Sequence, residues 1–220
     1  MKLVASGCSF TYGHGLTDCF IPPLGHGPDP SKFAWPSVVA DLLNIECVNV
    51  STPGGGNMRI IKQLLEVDLD ETDIVTVLWS YSTRAPEFTT TKTLNNGEWD
   101  EIYMKNIFNY SSAHDLYLKQ LISIYTFTKY LESKKVKILY QFIDRIDNIV
   151  KESIHYPLYY KLWNEIKKYD ETTSTFDKVQ TDVRDKQIVG FALDGRHPNE
   201  DWHKKLGIYV HRRLTADKLI

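Results

Sequence analysis

Cysteine is scarce in this chain: three among 220 residues, at Cys8, Cys19 and Cys47. Their odd number and irregular spacing exclude a disulfide framework and a paired Cys-x-x-Cys metal motif, and a reducing compartment is the simpler setting. Long apolar runs are also missing. No stretch approaches the ~18 residues that a membrane span needs, and the opening Leu3-Val4-Ala5 is too short for the apolar core of a secretory signal. The expectation is a cytoplasmic, soluble protein without a membrane partner. Charge of one sign is not in excess either, since 26 Lys and Arg against 28 Asp and Glu leave a net charge of −2. Without a global basic field, no nucleic-acid partner is expected. The local run Lys134-Lys135-Val136-Lys137 borders an apolar strand and reads as a solvated edge. No internal repeat or low-complexity segment is found, and nothing in the composition fixes an oligomeric state.

What is present fits a globular fold. An apolar fraction of 42% and a charged fraction of 25% are ordinary, and the length suits one domain. We expect a single domain over residues 1–220 with insertions at about 16–34, 85–113 and 144–186. Many of the 13 tyrosines fall between Tyr81 and Tyr169, which marks that middle region as more than plain scaffold.

Hydrophobic periodicity predicts alternating strands and helices. Strands are expected at Leu3–Ser6, Cys47–Val50, Asp73–Trp79 and Val136–Phe142, the third being the most continuous and β-rich. Between them come a helix from Trp35 or Pro36 to Leu43, with Val38, Val39, Leu42 and Leu43 as its apolar stripe, and one carrying Ile60, Ile61, Leu64 and Leu65. Further helices are expected at about His114–Ser133, Pro157–Lys168 and Asn199–Leu214, and a tight turn at Asn95-Asn96-Gly97. This alternation specifies an α/β fold, a three-layer α/β/α sandwich on a mainly parallel sheet, which binds ligands beyond the C-terminal ends of its strands. Ser9, Gly54 and Ser82 all follow such ends.

The chemistry lies at the two ends of the chain. Ser9 follows the first strand and precedes a glycine-rich turn, while Asp194 and His197 stand three residues apart on one loop before the last helix. A serine hydroxyl needs a neighbouring base to take its proton, and an imidazole base needs a carboxylate to fix its tautomer. Ser9 as nucleophile, His197 as general base and Asp194 as orienter satisfy both needs. Gly54-Gly55-Gly56 lacks the Gly-x-x-x-x-Gly-Lys-Ser/Thr pattern of a phosphate loop. His14, Asp18 and His26 share a loop but match no standard metal-ligand spacing. Cys8 reads as a small buried residue rather than a second nucleophile, and Trp79, Tyr81 and Arg84 as residues directed toward the site. No metal and no organic cofactor are expected.

These blocks resemble those of the SGNH (GDSL-type) hydrolases, in order and over the whole chain. Gly7-Cys8-Ser9-Phe10-Thr11 resembles the first block, with Cys8 where the usual motif has Asp. Asn49-Val50-Ser51-Thr52-Pro53-Gly54 resembles the second, which implies Gly54 as an oxyanion donor. Asp194-Gly195-Arg196-His197-Pro198 matches the last block, and His203 falls where many members carry a further, non-catalytic histidine. The third block departs: Ser80-Tyr81-Ser82 stands where Gly-x-Asn-Asp is expected. Ser82, Ser80 and Asn57 are the candidates to replace the missing asparagine donor, and Tyr81 and Arg84 are candidate substrate contacts. The resemblance implies the SGNH, flavodoxin-like fold and hydrolysis of an acyl or acetyl ester, on a small molecule or a carbohydrate. Acyl transfer to a sugar hydroxyl and non-catalytic binding of a glycan or partner remain the alternatives.

Overall fold

The computed structural model describes residues 1–81, 84, 113–143, 156–169 and 190–216. Four strands, β1 (Lys2–Ser6), β2 (Glu46–Asn49), β3 (Ile74–Trp79) and β4 (Lys137–Phe142), form one sheet in the order β2-β1-β3-β4, and every pairing is parallel. The helices are α1 (Ser9–Tyr12), α2 (Trp35–Leu43), α3 (Asn57–Leu65), α4 (Ala113–Ser133), α5 (Tyr156–Ile166) and α6 (Glu200–Ala216).

Because side chains alternate across a strand, the fully buried β3 feeds two cores. Ile74 and Leu78 pack with Trp35, Val39 and Ala40 of α2 and with Trp202, Leu206, Val210 and Leu214 of α6. Val75, Val77 and Trp79 face the other way, into residues of α3, α4 and α5. The result is the expected three-layer α/β/α sandwich. The four apolar residues of α6 recur every fourth position, the spacing that puts them on one face of a helix. Gly207 lies on the same helix, and a Cβ there would stand 2.6 Å from Val38 Cβ and 3.1 Å from the Trp35 carbonyl. Its absence is what lets α6 lie against α2.

Two details differ from the sequence pattern. The buried residues of α2 are Trp35, Pro36, Val39 and Ala40, whereas Leu42 is exposed; α3 buries Ile60, Ile61 and Leu64 and leaves Leu65 exposed. Both exposed leucines lie off the buried face, not beyond the end of it: Leu43, next to Leu42, packs on the α2/α6 core, and Leu64, next to Leu65, is fully buried. Tyr159, Leu162, Trp163 and Ile166 of α5 enter the core, so the aromatic stretch around Tyr159 is in part a packing surface. The Asn95-Asn96-Gly97 turn and Ser82 lie outside the described residues.

The sheet order fixes where a site can form. From β1 the chain crosses to β2 on one side, then passes to β3 on the other side of β1. The crevice above the C-terminal ends of β1 and β3 is therefore the topological switch point, where parallel sheets bind ligands.

Candidate active site

Ser9 opens α1 directly above β1 and is 6% exposed. Gly7 makes the sharp exit from the strand possible: a Cβ there would lie 2.0 Å from Thr11 Oγ1 and 3.1 Å from the Leu78 carbonyl. One turn later the helix stops at Gly13, whose φ of 79° is left-handed, and the Ser9 carbonyl accepts the N–H groups of Gly13 and His14 at 3.1 Å each. Cys8 is fully buried in the α2/α6 core, which leaves it the packing role expected of a small thiol side chain.

The loop after β2 is a turn in which the Gly55 N–H donates to the Thr52 carbonyl at 3.1 Å. With Pro53 and then Gly54 at φ 75° in the middle, this is the type II arrangement that requires a glycine at its third position. The Gly54 N–H takes no part in that bond. Asn57 and Ser80, 1% and 2% exposed, hold each other: the Ser80 N–H donates to Asn57 Oδ1 at 2.7 Å and Asn57 Nδ2 donates to the Ser80 carbonyl at 3.2 Å. Arg84 Nη1 donates to Ser80 Oγ at 2.9 Å and to the Gly55 carbonyl at 3.3 Å, and its guanidinium lies 5.4 Å from the centre of the Tyr81 ring. The loops after β2 and β3 are thus tied together through Asn57, Ser80 and Arg84. Trp79 is directed away from this site, into the aromatic core with Tyr140, Phe127 and Phe142.

At the other end of the chain, Asp194 organises its own loop. Its Oδ1 accepts the backbone N–H groups of Arg196 and His197 at 3.0 Å each, and its Oδ2 is hydrogen-bonded to His197 Nδ1. Burial pushes the Asp194 carboxyl up, but these two N–H donors and the imidazole outweigh it and hold the group below the ordinary carboxylate range. Gly195, at φ 69°, closes the turn, and Phe191 pairs with Pro198 across it.

This loop docks on the segment that follows Ser9. The Leu193 N–H donates to the Gly15 carbonyl at 2.9 Å, and the Phe10 ring meets the His197 ring edge-on at 5.8 Å and Trp202 at 6.0 Å. His14 joins the pair. Its ring centre is 4.4 Å from that of His197, and its Nε2 is 3.5 Å from Asp194 Oδ2. Burial, with His197 and His26 nearby and Asp194 opposing them, drives His14 down to about 4, so it is neutral at neutral pH. His203 is 1% exposed; its Nδ1 accepts the Trp35 N–H at 3.2 Å, and burial lowers it to about 3.

The structure therefore joins Asp194 to His197 by a hydrogen bond and brings the segment after Ser9 against their loop. No hydrogen bond joins Ser9 Oγ to His197. Among the described residues, His14, Asp194 and His197 are the group with ligand atoms close enough to share a metal ion, all within 4.8 Å of one another. Asp18 is elsewhere: it accepts Ser31 Oγ at 2.5 Å and the Lys32 N–H at 2.7 Å. A groove of about 280 Å³ adjoins the Asp194 loop, lined by Gly15, Leu16 and Thr17 on one side and by residues 191–193 and 199–201 on the other. It includes neither Ser9 nor His197.

No protein-family model matches the sequence, and no curated protein matches it. Solved structures do. A carbohydrate esterase whose active site displays divergent catalytic and non-catalytic binding functions superposes with a TM-score of 0.56 at 12% identity, over 97% of this chain and 68% of that one. An acetyl xylan esterase from the rumen bacterium Butyrivibrio proteoclasticus gives 0.57 at 15% identity, over 98% and 64%. A member of the lipolytic G-D-S-L family from Veillonella parvula gives 0.53 at 15% identity, over 98% of both chains. The chain has the SGNH hydrolase fold. It spans about two thirds of the length of the two esterases. Within the SGNH fold, sequence reasoning missed His14 as a neighbour of the Asp194–His197 pair. The signal available was Gly13 and Gly15 on either side of it, which mark a forced backbone path.

Proposed function

We propose that this protein is a serine ester hydrolase of the SGNH family, acting through an acyl-enzyme. Ser9 attacks the ester carbonyl, His197 takes the serine proton and returns it to the leaving alcohol, and Asp194 holds the imidazole in the tautomer that leaves Nε2 free to act as base. Water then attacks the acyl-enzyme with His197 again as base. The N–H groups of Ser9 and Gly54 receive the oxyanion, and Arg84, Ser80 and Asn57 keep the Gly54 loop in register with the end of β3. Preorganised donors of this kind are each worth ~2.7–4 kcal/mol in the transition state. The observation that carries the reading is Asp194 Oδ2 bonded to His197 Nδ1 on a loop hydrogen-bonded to Gly15, six residues beyond Ser9.

The substrate class we favour is an acetyl or short acyl ester on a carbohydrate, by analogy with the two esterases sharing the fold. Hydrolysis of a short-chain aryl acetate and of acetylated xylo-oligosaccharide tests the proposal. Wild type turns over at least one of them, Ser9→Ala loses turnover while keeping its melting temperature, and Asp194→Asn loses about 10³- to 10⁴-fold. Activity that persists in Ser9→Ala removes the nucleophile from the account.

Non-catalytic glycan binding is the second reading, favoured by two observations: Ser80-Tyr81-Ser82 in the third block, and the missing hydrogen bond between Ser9 and His197. Carbohydrate binding without turnover and without reaction of Ser9 decides for it.

A further inference from the structure

We propose that His14, Asp194 and His197 form a chelating site for a borderline transition-metal dication, Zn²⁺ above all, and that its occupancy switches the Asp194–His197 pair off. Two imidazoles and one carboxylate are the donor set that Zn²⁺ takes with a fourth position left to water. Softness selects the metal, because imidazole nitrogen suits Zn²⁺, Cu²⁺ and Ni²⁺, whereas Mg²⁺ and Ca²⁺ prefer oxygen-only shells.

The geometry is close to what chelation needs. Metal–ligand distances near 2.0–2.1 Å in a tetrahedron place donor atoms roughly 3.3–3.5 Å apart, and His14 Nε2 is 3.5 Å from Asp194 Oδ2. The two rings lie side by side at 4.4 Å with 38° between their planes, and one ligand atom from each of the three residues falls within 4.8 Å of the others. Gly25 lies against the same ring, where a Cβ would come within 2.5 Å of His14 Nε2, so only a glycine there leaves that nitrogen room.

Chelation and the orienting hydrogen bond exclude each other. His197 Nδ1 donates its proton to Asp194 Oδ2 when it serves the base, and a metal between them replaces that proton and parts the two atoms. A zinc-loaded molecule therefore has an imidazole that can no longer act as the base. The binding stands apart from the hydrolase reading; only the inhibition rests on it.

Calorimetric titration of the full chain with ZnCl₂ tests this. One Zn²⁺ binds wild type and Ser9→Ala equally, and His14→Phe, which keeps the ring and removes the ligand atom, weakens binding by at least ~100-fold, the upper end of what loss of an outer-shell partner costs. His14→Gln serves if the phenylalanine variant does not fold. MgCl₂ gives no heat. Where ester turnover is measured, Zn²⁺ inhibits wild type reversibly with EDTA and leaves the His14 variant active. Equal zinc affinity in wild type and the folded His14 variants places the ion elsewhere and overturns the proposal. Zinc binding without any ester turnover supports the site while counting against the hydrolase reading.

Discussion

A Cβ on Gly15 would stand 2.9 Å from both Cγ and Oδ1 of Asp194. Gly15 is at φ 84°, and its carbonyl accepts the Leu193 N–H, so one glycine both anchors the C-terminal loop and leaves room for its carboxylate. Gly15→Ala meets the clash and the left-handed backbone together. The strain alone is of order 1–3 kcal/mol, which for a chain of this size lowers the melting temperature by roughly 2–10 °C. On the proposed hydrolase reading, ester turnover falls further than stability explains, because Asp194 is pushed from His197. A melting curve and an activity that both match wild type would falsify this docking.

Asn57→Ala removes both hydrogen bonds to the Ser80 backbone and leaves a buried N–H and a buried C=O without them. Each orphaned group costs about 1–3 kcal/mol. Denaturant titration is the measurement, and the midpoint is expected to fall without a change in slope. An unchanged midpoint means that the Asn57–Ser80 clasp is not a support of the loop.

How much of this was legible in the sequence depends on whether the signal is local. Strands and helices could be placed because each repeats its apolar residues at its own period, and the Asp194-Gly195-Arg196-His197 loop carries its own hydrogen bonds within four residues. The clasp between Asn57 and Ser80, the span of Arg84 from Ser80 to Gly55, and the arrival of His14 beside His197 join positions far apart in the chain. No period announces such contacts. The exposed Leu42 and Leu65 differ for another reason: an apolar stripe read from spacing is wider than the face the neighbouring layer covers, and each of these leucines lies one residue from a packed one.

Gly207→Ala places a methyl group where Val38 and the Trp35 carbonyl already stand. Overpacking of a closed core costs typically ~1–3 kcal/mol, and the α2–α6 layer must separate to admit it. Thermal unfolding checks this, and a variant as stable as wild type would show that the two helices slide apart freely.

His203 links stability to pH. Its folded value is lowered to about 3 from the ordinary 6.5, so between those values the unfolded chain binds the proton that the folded chain refuses. Stability is fully present above about pH 6.5 and declines as the pH falls toward 3, by as much as a few kcal/mol in all. His203→Asn keeps an acceptor for the Trp35 N–H and removes the titration. Its stability relative to wild type is therefore expected to improve steadily on acidification. Parallel stability curves for the two proteins across that range would contradict the assignment.

The central claim, that Ser9 is a nucleophile activated by the Asp194–His197 pair, is tested most directly by intact-mass and peptide mass spectrometry after treatment with a fluorophosphonate, which reacts with activated serines. The account predicts a single adduct on Ser9, lost in Ser9→Ala and strongly slowed in Asp194→Asn and His197→Ala. No adduct on Ser9 in the folded wild-type protein, or labelling indifferent to Asp194 and His197, would contradict it.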